Sequence, residues 1–204
     1  MNVSKARELL AQAAAEPTRL DRHLLVAAAL REVLRNEPIV VGGTAQELYT
    51  AGGYNETDLD LVGSVTDHER KMLVDLGFSR SGRHWFHEAS KVAVEFPESH
   101  LDGDMERVYR RRVRSGTAAV IGVDDLYLDR VRQATAYPTD DSMEFRSAIA
   151  VGVGSYDIID WRYVGSRIHR TIGEDPYLGR RMSKIDAKVR RLVRKEIKSN
   201  SPGS

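Results

Sequence analysis

An α/β (α+β) fold, with a small mixed sheet flanked by helices and a helical C-terminal part, is what the sequence predicts from three observations. Ile39-Val40-Val41 is a β-branched run that ends in Gly42-Gly43, after which Thr44 opens about two helical turns. Asp58-Leu59-Asp60-Leu61-Val62 alternates acid and aliphatic, the period of a half-buried strand. Near the C-terminus, Met182, Ile185, Val189, Leu192, Val193 and Ile197 recur at helical spacing.

Taken in order, Ser4 can cap a first helix to about Ala15, which Pro17-Thr18 breaks. A second helix from about Leu20 to Leu34 carries an apolar stripe, and Pro38 separates it from the first strand. After the acid-aliphatic strand, Thr66-Asp-His-Glu69 is a capping box that starts a helix to about Leu76, with Gly77 as its terminator. Two short strands follow, around His84–His87 and Lys91–Phe96. His84 and His87 have the spacer of a zinc pair, but strand positions three apart face opposite sides, which favours ordinary half-buried histidines.

Residues 101–104 are turn chemistry, and five arginines then fall between Arg107 and Arg114. A strand here places Arg110, Arg112 and Arg114 on one face. Such a row could hold phosphates of a nucleotide or an RNA backbone, or it could simply protect an edge strand with charge. Ala118–Gly122 reads as another strand. Asp124 or Asp125 begins a helix that Pro138 stops, and further helices span about Asp140 to Val151 and Asp157 to Ile172. Asp175-Pro176 is a cap followed by proline at the first helical position, and it opens a last helix to about Lys198. The division expected is a core with N-terminal helices over residues 1–122, a helical region over 123–198, and a disordered tail over 199–204.

Composition narrows the function classes. With 204 residues, 41% hydrophobic and 30% charged, the chain suits a globular protein. It has no cysteine, which removes disulfides, thiolate zinc sites and thiol nucleophiles. No apolar run is long enough for a membrane span and no signal-peptide core follows Met1, so a cytoplasmic protein without a membrane partner is expected. Net charge is only +1, so any nucleic-acid role must rest on a local patch. The last helix supplies a candidate: nine Lys or Arg between Arg180 and Lys198 against Asp186 and Glu196. Arg180, Lys184, Lys188 and Arg191 are its candidate RNA contacts, with an ordinary solvated face as the alternative.

The chemistry centres on residues 42–60. Side chains two apart on a strand leave the same face, so Asp58 and Asp60 point together and need a proton or a cation between them. Magnesium-type ions take carboxylate oxygens together with substrate phosphates. Gly42-Gly43 leaves a bare backbone at a helix N-terminus, which favours an anion. Gly42-Gly43-Thr44, a thirteen-residue spacer and Asp58-Leu59-Asp60 resemble the signature of the polymerase-β-type nucleotidyltransferase superfamily. Roughly residues 20–165 resemble a small bacterial branch of nucleotidyltransferase-like proteins. More distantly, the chain is similar to nucleotidyltransferase toxins of the AbiEii and MenT type, which modify tRNA.

The resemblance implies a nucleotidyltransferase fold in which Asp58 and Asp60, with Glu95 as third acid, are catalytic and hold two Mg²⁺ (or Mn²⁺) ions. Gly42, Gly43 and Thr44 would hold the nucleoside triphosphate, ATP being one candidate. Arg130 stands near the place of a lysine that contacts the triphosphate in the toxins. Their additional carboxylate has four competitors here: Asp141, Glu144, Asp157 and Asp160. The function implied is transfer of a nucleoside monophosphate to an acceptor hydroxyl, as at a tRNA 3′ end, with a cognate antitoxin as a partner. Two other readings stay open: a non-catalytic RNA- or protein-binding module, and a small-molecule (antibiotic-type) nucleotidyltransferase.

Overall fold

The computed structural model describes residues 1–50, 57–137, 139 and 142–200. These form two compact units, which meet in sequence between Gly122 and Val123. Tyr49 and Thr50 belong with the second unit.

The first unit opens with α1 (Val3–Ala14) and α2 (Arg19–Val33). The cap of α1 is Asn2 rather than Ser4: its Oδ1 accepts the Lys5 N–H at 3.0 Å. Two positions earlier, the short amide side chain meets the same need of an orphan N–H. Instead of a one-sided stripe, α2 is buried without a break from His23 to Leu30, because it lies between α1 and the sheet.

β1 (Ile39–Val40), α3 (Gly42–Tyr49) and β2 (Asp58–Val62) follow, then α4 (Asp67–Asp75), β3 (Phe78–Ser81), β4 (His84–His87) and β5 (Val92–Glu98). After a 3-10 turn at Met105–Arg107 come β6 (Tyr109–Val113) and β7 (Gly116–Val120). All strands join one mixed sheet, in the order β3-β4-β5-β2-β1-β7-β6. β1 is antiparallel to β2 and parallel to β7, and β2 is parallel to β5. Leu59 and Leu61 are wholly buried, so Asp58 and Asp60 leave by the opposite face. The β2–β5 register pairs Asp60 with Glu95 and then Val62 with Glu98, so β5 carries one extra residue around Phe96-Pro97. Proline has no N–H to lose from the ladder, and a bulge is where a sheet tolerates it.

The capping box of α4 forms in full between Thr66 and Glu69. Glu69 does more than cap: its Oε1 also accepts the Arg35 N–H at 2.6 Å. The sequence does not predict β3, because only Phe78 of its four residues is buried and it lacks the alternation that marks a half-buried strand. β6 ends at Val113, and Arg114 lies in the following turn with φ of 41°. The expected face of three arginines is therefore reduced on the strand to Arg110 and Arg112.

The second unit holds α5 (Val123–Ala134), α6 (Met143–Gly154), α7 (Trp161–Glu174) and α8 (Pro176–Asn200). Ser142 caps α6 and Asp160 caps α7, each a few residues later than the sequence suggests. Pro138, Asp140 and Asp141 lie outside the described residues. Asp175 Oδ1 accepts the N–H groups of Tyr177 and Leu178, which starts α8 at Pro176 as expected. Two residues assigned to the tail, Ser199 and Asn200, extend α8, while 201–204 lie outside the described residues. Met182, Val189 and Val193 are buried, and α8 packs on α5, α6 and α7. Tyr127 donates to Asp186 Oδ1 at 2.9 Å, and Arg190 clasps both Asp186 oxygens while its guanidinium lies 4.6 Å from the Trp161 ring. These contacts fix which way α8 is turned about its axis. Among the described residues, no helix is long and apolar enough to cross a membrane.

Candidate active site

Three carboxylates leave one face of the first unit's sheet. Asp58 and Asp60 are two apart on β2, and Glu95 is the β5 partner of Asp60 in a parallel pair, where facing side chains leave the same side. Strands in a sheet lie about 4.8 Å apart, which sets the scale of that pairing. The partner of Asp58 is Ala93, whose methyl group leaves the side chain room.

The first turn of α3 closes on this face. Gly42 has φ of 61°, and a Cβ built on it would land on Oδ2 of Asp60. Only glycine meets both demands, the left-handed backbone and the missing side chain. The carboxylate thus lies directly against the bare start of a helix, whose N–H groups and dipole favour negative charge.

Thr44 does not offer its hydroxyl outward. The side chain is fully buried; Oγ1 donates to the Asp58 carbonyl at 3.4 Å and lies 2.9 Å from Nδ1 of His23. Since the hydroxyl proton goes to Asp58, Nδ1 of His23 is the donor in that contact. Burial pushes His23 down to about 4, aided by the Arg19 and Arg22 charges and opposed by Asp58, so its ring is neutral at pH 7. The expected hydroxyl contact of Thr44 with a phosphate is replaced by a brace that ties α2, α3 and β2 together. Nothing in the sequence marked His23, because a histidine in an apolar helical run carries no sign of what it will meet.

Glu95 is largely buried and already engaged. Arg83 Nε lies 3.0 Å from its Oε1, and His84 Nδ1 is 3.7 Å from Oε2, too far for a hydrogen bond. His84 therefore faces the acidic cluster, whereas His87 turns the other way and pairs with Ser90 at 2.8 Å. This settles the two histidines as separate in role.

Among the described residues, no three His, Asp or Glu side chains are drawn together tightly enough to hold a metal ion unaided. Asp58 and Asp60 nonetheless fit magnesium, which is held through one or two carboxylates plus substrate phosphates rather than by an all-protein cage.

The remaining candidates are dispersed. Arg130, on α5 of the second unit, is 7% exposed; Nη1 donates to Gln133 at 2.9 Å, while Nε and Nη2 have no hydrogen-bond partner. Nη2 stands 3.7 Å from an Asp129 oxygen, a loose ion pair. Of the competing carboxylates, Asp160 is used as a cap, Asp157 is exposed in the turn before α7, and Glu144 sits in the first turn of α6. Asp141 lies outside the described residues. Arg110 pairs with Glu37 at 2.8 Å and Arg114 with Glu16 at 3.2 Å, so neither guanidinium is unengaged. On α8, Arg180, Lys184 and Arg191 are exposed, and Lys188 is half-buried with its ammonium 5.6 Å from the Phe145 ring.

No family model and no curated protein matches the chain. Among solved structures, it is similar to the crystal structure of an antigenic nucleotidyltransferase-like protein from Paracoccidioides brasiliensis. The TM-score is 0.49 and the identity 12%, over 80% of this chain and 92% of that one. A likeness of that degree assigns neither family nor activity, and the functional reading stands on the residues themselves.

Proposed function

We propose that this protein is a metal-dependent nucleotidyltransferase that moves a nucleoside monophosphate from a nucleoside triphosphate to an acceptor hydroxyl. One observation carries the reading: the Asp60 carboxylate lies against the glycine-only first turn of α3, with Asp58 and Glu95 on the same face. A phosphate and a carboxylate can share one helix N-terminus only if a cation offsets their charges. Asp58 and Asp60 would hold that cation, Mg²⁺ or Mn²⁺, which when bound supplies charge neutralisation and lowers the pKa of a nearby hydroxyl.

The chain's own groups do the rest. The N–H groups at Gly42 and Gly43 hold the triphosphate, and the His23–Thr44–Asp58 brace keeps that turn in register with β2. Glu95 takes the proton of the acceptor hydroxyl once Arg83 releases it. The acceptor oxygen then bonds to the α-phosphorus, the α–β phosphoanhydride bond breaks, and pyrophosphate leaves. We assign the acceptor to RNA, with a tRNA 3′ end as the first candidate, on the charge of α8; action as a toxin with a cognate antitoxin in the cytoplasm belongs to the same reading.

The test is incubation with each α-labelled nucleoside triphosphate, Mg²⁺ and total RNA. Labelled RNA is expected with the wild type and not with Asp58→Asn or Asp60→Asn. Transfer that persists in both variants removes these residues from the chemistry. A second reading, a non-catalytic binding module, is favoured by one feature: the Glu95 carboxylate is occupied by Arg83. That reading requires triphosphate binding without turnover, even in Arg83→Ala.

A further inference from the structure

The longest helix carries a charge pattern that the acidic site does not use. Arg180, Lys184, Lys188, Arg191, Lys195 and Lys198 follow one another at steps averaging 3.6 residues, one helical turn. They therefore form a single straight stripe, about 27 Å long at 1.5 Å per residue. Both carboxylates of α8's basic segment lie off it: Asp186 is drawn to Tyr127 and Arg190, and Glu196 falls on another face. Arg180, Lys184, Arg191, Lys195 and Lys198 are exposed and form no ion pair among the described residues. The contrast on the same helix is Arg190, which is paired with Asp186 and stacked on Trp161.

At the N-terminal end of the stripe, and on the same side, stands Tyr177, 70% exposed. Its ring is not left to swing: Arg181 lies 5.4 Å from the ring centre and donates to the phenol oxygen at 3.1 Å. An exposed aromatic face held by a guanidinium at the head of a row of cations suits a strand whose bases are unstacked. The opposite, apolar side of α8 is packed on α5, α6 and α7. A helix that binds a lipid surface needs that apolar side for insertion, so the stripe is left with electrostatics and one stacking platform.

We propose that the basic stripe of α8 is a docking surface for single-stranded RNA, with phosphates along its five exposed cations, Arg180, Lys184, Arg191, Lys195 and Lys198, and one base stacked on Tyr177. The proposal rests on the RNA acceptor assigned above, but it is measured without triphosphate or divalent ion. The experiment is fluorescence anisotropy of a labelled twelve-nucleotide RNA strand in EDTA, from 50 to 250 mM NaCl. About 0.7 units of log–log salt slope per neutralised phosphate gives a slope of roughly −3.5 for the five exposed cations of the wild type. Combining Arg180→Gln, Lys184→Gln and Arg191→Gln should lower that slope by about 2. Tyr177→Ala should weaken binding by about five-fold or more with no change of slope.

Photo-crosslinking of 4-thiouridine RNA to the wild type, with label expected in the peptide spanning 177–198, stands independently of any variant's folding. The proposal is overturned by absence of binding at 50 mM NaCl, by an unchanged slope in the triple variant, or by crosslinks elsewhere. Tighter binding of duplex RNA, or of phosphatidylserine vesicles, overturns it as well. Strand binding that survives while no triphosphate is turned over leaves this surface standing and removes the enzymatic reading instead.

Discussion

Two arginine-rich stretches look alike in sequence and differ in the structure. On β6, Arg110 shares Glu37 with Arg31, and Arg114, just past the strand, shares Glu16 with the backbone of Thr18. Burial works against ionised Glu37, yet Arg31 and Arg110 together keep it below the usual carboxylate range. On α8 the exposed cations Arg180, Lys184, Arg191, Lys195 and Lys198 have no such partners among the described residues. Charge density alone does not separate a binding surface from a brace. What separates them is whether acids from distant parts of the chain have claimed the cations, as Glu37 has claimed Arg110 and Glu16 has claimed Arg114.

The largest effect that could break this contrast is at the acidic face. Asp60→Asn should reduce nucleotidyl transfer by about a thousand-fold or more, since it removes one of two carboxylates able to hold the ion. The same variant should bind single-stranded RNA as the wild type does, because its charge lies in the other unit. Loss of both activities together would mean that the two regions do not act separately.

Next in size is Gly42→Ala. A left-handed backbone costs a non-glycine residue about 1–2 kcal/mol, and displacing the Asp60 carboxylate adds about 1–3 kcal/mol of overpacking. Urea unfolding should therefore show a loss of roughly 2–5 kcal/mol. A loss below about 1 kcal/mol would show that α3 can draw away from Asp60, and the close approach would lose its meaning.

A third test uses acid, in EDTA so that no metal competes. The His23 imidazole titrates near 6.5 when unfolded and about 4 when folded. Between those values the unfolded chain binds the extra proton, so stability present above pH 6.5 falls as the pH drops toward 4 and changes no further below. The loss is at most about 1.4 kcal/mol per pH unit, of order 3 kcal/mol across the window. His23→Asn keeps an N–H donor for Thr44 and cannot titrate, so its stability difference from wild type should shrink across this window. A constant difference would show that His23 is not the neutral buried donor.

What the sequence made legible is local. The alternation of 58–62, the Thr66–Glu69 box and the Asp175-Pro176 start are each settled within a few residues, and each forms as expected. What it hid depends on partners far along the chain. Thr44 turns inward because His23 waits twenty-one residues earlier. α2 is buried all round because α1 covers the side away from the sheet. β3 exists because β4 offers it an edge, though its own residues carry little pattern. Similarly, Arg114 leaves the row because the hairpin turns at Val113, and Glu16, ninety-eight residues back, receives it.

That last pair provides the smallest and most discriminating prediction. Arg114 is more than half exposed in its side chain, and exposed ion pairs contribute about 0–1 kcal/mol. Arg114→Gln should lower the unfolding free energy by less than about 1 kcal/mol and leave RNA affinity and its salt slope unchanged. Arg191→Gln, an equal change of charge on α8, should do the reverse: no measurable loss of stability, and a slope lower by about 0.7. Because the two variants remove the same group, any difference between them reports on what the rest of the chain has placed beside it. An RNA slope that falls equally in both would mean that Arg114 gives up its carboxylate to the strand, and the distinction between braced and available cations would have to be abandoned.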